Sequence, residues 1–78
     1  MRKRSISIKG HRTSILLERV FWDALDEAAT ARGVSLPSLI AEIDQARLKQ
    51  SPPPGLASAL RIFALAEAQR SGAGDKTR

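Results

Sequence analysis

The spacing of apolar residues changes near residue 20, and this change constrains the fold more than any other feature. Residues 4–9 alternate polar and apolar side chains with Ile6 and Ile8 on one face, as a half-buried strand does. A second extended run at 12–17 is rich in β-branched residues, and Lys9-Gly10-His11 separates the two runs. From Val20 the spacing becomes helical. Two short strands are not stable alone, so helices or a second chain must cover them.

Three helical segments are predicted after the strands. The first has one apolar stripe, which consists of Val20, Phe21, Ala24, Leu25 and Ala28. Gly33 can end this helix in the left-handed conformation. Ser35 is placed to cap a second helix, with Pro37 in the first turn, where proline is tolerated. Residues 51–55, Ser-Pro-Pro-Pro-Gly, cannot be helical and predict a stiff linker before a third, strongly apolar helix.

These segments divide the chain into five parts. The first is a basic N-terminal arm with a possible extra strand, and the second is a core of one strand and two helices. A proline-rich linker, a C-terminal helix and a tail follow, and we expect the tail to be disordered because it contains no large apolar residue. The predicted boundaries are 1–11, 12–50, 51–55, 56–70 and 71–78.

Composition argues against several classes of protein. The 78 residues include no cysteine and one histidine, so disulfides and a structural zinc site are not expected, and no nucleophile stands at a useful spacing from His11 as its base. We therefore expect no enzymatic activity and no metal or cofactor. A core this small needs support, and oligomerisation is the remaining source. No apolar stretch approaches the length of a membrane span, which predicts a cytoplasmic protein without a membrane partner.

The positive charge is concentrated at the N-terminus. Residues 1–12 contain five basic residues and no acidic one, while the other eight basic residues are balanced by all eight acidic residues. Such a segment suits a polyanion, and two copies in a dimer would double its charge. A short charged terminus that only keeps the chain soluble is the alternative.

Five short strings in order carry a family resemblance. They are Gly10-His11-Arg12-Thr13-Ser14-Ile15, Phe21-Trp22-Asp23-Ala24-Leu25, Arg32-Gly33-Val34-Ser35-Leu36, Ile40-Ala41-Glu42-Ile43-Asp44 and Ser58-Ala59-Leu60-Arg61. The chain resembles the ribbon-helix-helix family, and more narrowly a bacterial subgroup with an added C-terminal helix. The resemblance implies a mostly α fold with a short β-ribbon, in which two chains each give one strand and form an intertwined homodimer.

The resemblance also implies that the ribbon enters the major groove of double-stranded DNA. In this family the ribbon strand runs directly into the first helix, which selects residues 12–17. Arg12, Ser14 and Leu16 would then face the bases, although the family favours a polar residue where Leu16 stands. The residues themselves leave open whether 4–9 or 12–17 forms the central ribbon.

Four further residues are candidate phosphate contacts. The family anchors phosphates at the start of its second helix, which here is Ser35 with Leu36, and an ordinary N-cap is the alternative role of Ser35. Arg4 and Lys9 are candidates by charge and nearness alone, and a solvated strand edge is their alternative role.

Two functions from different classes follow. The first is a dimeric, DNA-binding transcriptional regulator. The second is a protein–protein interaction module, or an antitoxin-like protein, that keeps the same dimer and holds a protein partner through its apolar C-terminal helix or the surface around Leu16.

Overall fold

A β-hairpin packed on three helices forms the chain. The computed structural model describes residues 1–76, with side chains for 1–70. The elements in chain order are β1 (Arg2–Ile8), β2 (His11–Leu17), α1 (Arg19–Arg32), α2 (Leu36–Leu48) and α3 (Leu56–Lys76). Residues 49–55, which include the proline run, connect α2 to α3.

The hairpin turn consists of two residues with positive φ. Lys9 has a φ of 51° and Gly10 a φ of 83°. Positive φ at both turn residues is the geometry of a type I′ turn, whose twist matches that of the strands it joins. β1 and β2 pair antiparallel from Arg2 opposite Leu17 to Ile8 opposite His11. The short turn therefore brings the two predicted strands into one ladder within one chain.

This pairing corrects one expectation from the sequence. The expectation that the ribbon strand has no ladder partner within its own chain is wrong, because β1 supplies such a partner. A two-residue loop closes at low entropic cost, which favours the intrachain pair. Residues 1–11 are thus part of the folded unit, and the predicted boundary at residue 11 falls inside the hairpin.

The caps of α1 and α2 form where the sequence places them. Gly33 ends α1 with a φ of 70°, and its N–H is hydrogen-bonded to the carbonyls of Ala29 and Thr30. The Ser35 side chain accepts a hydrogen bond of 3.2 Å from the Ser38 N–H, which caps α2. Because only Val34 lies between the two caps, the chain turns sharply from α1 into α2.

All five elements contribute to one buried core. Its largest fully buried side chains are Leu17, Trp22, Leu25, Leu39, Ile40 and Leu60. These residues come from β2, α1, α2 and α3, so the third helix closes the core of its own chain. Val20 differs from the predicted stripe, since it is exposed and Trp22 is buried in its place. The stripe of α1 is therefore rotated toward Trp22.

The third helix is longer than predicted. The sequence placed its end at residue 70, whereas α3 continues to Lys76 and overlaps the predicted tail. Glycine lowers helix propensity by about 1 kcal/mol but, unlike proline, keeps its N–H, so the two glycines after Ser71 do not exclude a helix. Residues 77–78 lie outside the described residues.

Candidate nucleic-acid interface

The hairpin has one buried face and one exposed face. Ile6, Ile8, Ile15 and Leu17 are buried against the helices. The cross-strand pairs Lys3–Leu16, Ser5–Ser14 and Ser7–Arg12 are exposed on the other side. We call these six residues the outer face. Side chains alternate between the two faces because successive residues of a strand point in opposite directions.

The outer face includes the three predicted base-contact residues. Arg12, Ser14 and Leu16 are all exposed, while Ile15 and Leu17 between and beyond them are buried. The register predicted for residues 12–17 thus agrees with the burial pattern. Leu16 is an exposed large apolar residue on this otherwise polar surface.

Lys3, Ser5 and Ser7 also belong to the candidate site, although they were not predicted as base or phosphate contacts. They reach the outer face because β1 pairs with β2 in the same chain, which brings Lys3 opposite Leu16 and Ser7 opposite Arg12. A signal was available, since the alternation of Ile6 and Ile8 already places Ser5 and Ser7 on the opposite side of the strand.

Ion pairs distinguish Arg4 and the helical arginines from the other cations of the hairpin. Six arginines each lie within 4 Å of a carboxylate, and these are Arg4, Arg19, Arg32, Arg47, Arg61 and Arg70. Within the described side chains, Arg2, Lys3, Lys9 and Arg12 have no such pair. The positive charge of the outer face and its turn is therefore not neutralised by the protein itself.

Arg4 lies on the side of the hairpin that faces the helices. Its two terminal nitrogens donate to the two carboxylate oxygens of Asp26, both at 3.2 Å. The guanidinium also stacks 4.7 Å from the centre of the Trp22 ring. The indole N–H of Trp22 in turn donates to the Arg2 carbonyl at 2.9 Å. Arg4 thus has a packing role, which separates it from the exposed phosphate candidate Lys9.

Two backbone N–H groups at the start of α2 donate to no backbone acceptor among the described residues. Ser38 donates to the Ser35 side chain, Leu39 donates to the Ser35 carbonyl at 3.0 Å, and Pro37 has no N–H. No backbone hydrogen bond among the described residues uses the N–H of Ser35 or Leu36. These two groups, at the positive end of the helix dipole, are suited to an anion.

Two ion pairs fasten α3 to the rest of the chain. Arg61 donates to Glu18 at 2.9 Å, just before α1 begins, and Arg32 donates to Glu67 at 2.8 Å, where α1 ends. Hydrogen bonding from Arg61 lowers the pKa of the Glu18 carboxyl, and hydrogen bonding from Arg32 lowers the pKa of Glu67. Both carboxyls therefore stay charged to a lower pH than an unpaired glutamate carboxyl does.

A polar hairpin supported on one face by amphipathic helices defines a small β-ribbon domain. Residues 1–68 match the family model described as the ribbon-helix-helix domain, and the protein belongs to that family. Proteins with this domain are typically DNA-binding regulators or antitoxins. Neither the curated proteins nor the solved structures gave a match to this chain. Among the described residues, no helix has both the length and the apolar character needed to cross a membrane.

Proposed function

We propose that the protein is a transcriptional regulator that binds double-stranded DNA through the outer face of its hairpin. The observation that carries the proposal is that Lys3 and Arg12 on this surface have no acidic partner among the described side chains, while the arginines of the helices are paired with acids. A major groove about 12 Å wide admits a two-stranded ribbon. In this role the protein needs no catalytic residue, metal or cofactor and acts in the cytoplasm.

Two copies can extend the ribbon along the free edge of β2. In a two-stranded sheet each strand pairs on one edge only, and the other edge of β2 is available to a second β2. The resulting four strands would span about 14 Å between the outer strand axes, slightly more than the groove. The central β2 pair would therefore face the bases, while each β1 would lie beside a phosphate backbone.

This arrangement gives a role to each candidate residue. Arg12 can donate twice to guanine, Ser14 can donate or accept, and Leu16 can contact a thymine methyl. Lys3 and Lys9 would contact phosphates beside the ribbon. The free N–H groups of Ser35 and Leu36 would hold a further phosphate. Arg4 is not included, because Asp26 and Trp22 already hold its guanidinium.

The test compares two arginines that have the same chemistry and different locations. Duplexes selected by the protein from a random library provide the specific site, and unselected duplexes provide the non-specific reference. Arg12→Ala should lose about 1 to 3 kcal/mol of discrimination for each bidentate pair with guanine, while Arg70→Ala, on the exposed side of α3, should keep it. Equal effects of the two substitutions on discrimination would contradict the proposed interface.

The lysines should affect binding differently from Arg12. Lys3→Ala and Lys9→Ala should weaken binding to selected and unselected duplexes alike, and each should reduce the log–log salt slope by about 0.9 for every phosphate that the protein no longer neutralises. Filter binding or fluorescence anisotropy at several salt concentrations measures both quantities. An unchanged salt slope would remove the lysine concerned from the interface.

An interaction module is the second candidate function, and the exposure of Leu16 favours it. An apolar side chain beside Ser14 and Lys3 is unusual for a surface that only reads DNA, and it could contact a protein partner. If Leu16 contacts a protein partner and not DNA, Leu16→Asn should leave DNA affinity unchanged, whereas a loss of DNA affinity would favour its contact with a thymine methyl. If the wild-type chain binds neither selected nor unselected duplexes at low salt, the regulator proposal fails and the interaction module takes its place.

A further inference from the structure

A small cavity lies at the open end of the hairpin, opposite the turn. β1 begins at Arg2, which pairs with Leu17 at the end of β2, and α1 begins two residues later at Arg19. The starts of β1 and α1 are therefore neighbours. The cavity between them is lined by Arg2, Arg4, Arg19, Trp22 and Asp23. We call it the arginine cavity.

The three arginines of this cavity differ in how firmly they are held. Arg4 is fixed by Asp26 at 3.2 Å and forms a rigid wall. Arg2 has no carboxylate within 4 Å among the described side chains. The Nε of Arg19 lies 3.9 Å from the Asp23 carboxylate, which is longer than a hydrogen bond, and the two side chains are 74% and 60% exposed. Such an exposed pair stabilises little, so Arg2 and Arg19 can both turn to a ligand.

The chemistry of the cavity favours a phosphate group. A guanidinium carries its N–H donors in a planar fork that matches phosphate oxygens. A phosphate presents oxygens in several directions, so Arg2 and Arg19 can each donate to a different one. Arg19 is the first residue of α1, and the positive end of that helix dipole adds to the attraction.

The size of the cavity limits how much of a ligand it can hold. Its volume is about 130 Å³, roughly the space of four water molecules at about 30 Å³ each. One phosphate group fits in this space, and the rest of a larger molecule would lie outside it.

We propose that the arginine cavity binds one phosphate group, with Arg2 and Arg19 as the donors. Asp23 opposes the anion and limits its affinity. The cavity includes no residue of the outer face and neither Ser35 nor Leu36, so it is a separate site. The phosphate has two possible sources. One is the DNA backbone, beside which β1 would lie in the proposed complex, and the other is a free phosphate compound.

Trp22 fluorescence measures binding of inorganic phosphate without DNA. Trp22 is the single tryptophan of the chain and lines the cavity. Replacing chloride by phosphate at constant ionic strength should change its emission saturably in the millimolar range. Arg2→Gln and Arg19→Gln should each weaken binding about two- to fivefold, while Arg70→Gln, on the exposed side of α3, should leave it unchanged. The same titration curve for all four proteins, or no saturable change in the wild type, would overturn the proposal.

Removal of the opposing carboxylate provides a test by gain of affinity. Asp23→Asn should tighten phosphate binding about two- to fivefold, because the competing acid is lost from the cavity. Glu42→Gln removes the same charge from an exposed position on α2 and is the matched control. Equal effects of these two variants would show that net charge attracts the phosphate, and would overturn the site. The four substituted residues Arg2, Arg19, Asp23 and Glu42 are exposed, so each variant should fold.

The salt dependence of DNA binding distinguishes the two sources of the phosphate. This measurement rests on the proposed function, whereas the fluorescence titration decides the site even if the chain binds no DNA. If a backbone phosphate occupies the cavity, the double variant Arg2→Gln/Arg19→Gln should reduce the log–log salt slope by about 0.9, and Arg70→Gln should not. An unchanged slope together with weakened binding of inorganic phosphate would support the site and identify a free phosphate compound as its ligand. A reduced slope in a double variant that binds inorganic phosphate normally would place the contact outside the cavity and overturn the proposal.

Discussion

Removing the Leu60 side chain tests whether α3 belongs to the cooperative core of a single chain. Leu60 lies on α3 and is fully buried, together with Leu25 of α1 and Ile40 of α2. Leu60→Ala deletes three carbon atoms at this point and leaves a cavity. Leu48→Ala removes the same atoms from a side chain on α2 that is 56% exposed, which makes it the matched control.

The two substitutions should differ by several kcal/mol in the free energy of unfolding. A buried Leu→Ala change costs about 3 kcal/mol, from the transfer free energy of the deleted atoms and from the cavity that remains. The exposed change at Leu48 should cost less than about 0.5 kcal/mol. The total free energy of unfolding of a domain of this size is roughly 4 to 12 kcal/mol, so the decrease expected for Leu60→Ala is a large share of it. The melting temperature should fall by about 12 to 24 °C.

Urea denaturation followed by Trp22 fluorescence and by circular dichroism measures both variants. Coincident transitions from the two probes would support two-state analysis. The m-value should stay constant if the substitution changes stability without changing the surface exposed on unfolding. If Leu60→Ala unfolds at the same urea concentration as Leu48→Ala, α3 is not part of the core, and the fold described above is refuted at that helix.

Three further predictions concern single contacts. Hydrogen bonds from arginine lower the pKa of the Glu18 and Glu67 carboxyls below 4.5. The two ion pairs therefore stabilise the fold fully above pH 4.5, and this stabilisation is lost as the pH falls through the lowered pKa. Melting temperatures measured from about pH 6 to pH 3 should therefore fall less steeply for Glu67→Gln than for the wild type. Gly33→Ala should lower the free energy of unfolding by about 1 kcal/mol in chemical denaturation, because a residue with a Cβ is strained at a φ of +70°. No steric clash should add to this cost, since the added Cβ meets no atom within 4 Å. Ser35→Ala should cost about 1 kcal/mol by the same measurement through removal of its cap, and an unchanged midpoint would contradict the capping role.

Local sequence signals predicted the helices well. Gly33 and Ser35 mark the end of α1 and the start of α2 because each meets a backbone requirement of its own position. The orientation of α1 was less predictable. Val20 and Trp22 are both apolar, and only the position of β1 and α3 decides that Trp22 is buried and Val20 exposed. Such a choice depends on tertiary packing, which periodicity alone does not determine.

One part of the candidate site was predictable from the sequence, and another part depended on tertiary packing. The family resemblance, with the period of two along a strand, was sufficient to predict Arg12, Ser14 and Leu16 on one face, although Leu16 makes the alternation in 12–17 imperfect. The position of Arg4 was not predictable, because its alternation with Ile6 places it on the buried side while its charge suggests solvent. Asp26, twenty-two residues away in sequence, resolves this conflict by pairing with its guanidinium. Charge and nearness in sequence therefore did not predict the ion pair of Arg4.

An intrachain hairpin changes what a second copy contributes. Where a ribbon is formed by two chains, folding and assembly are one process, and the melting temperature rises with protein concentration. Here β1 completes the ladder and Leu60 helps to close the core within one chain. We propose that assembly then acts on a surface that is already folded, the β2 edge. Unfolding of the wild-type chain should therefore be independent of protein concentration at concentrations where it is monomeric, while DNA affinity should rise with dimer formation. A melting temperature that rises with concentration throughout that range would show that folding itself requires the second chain.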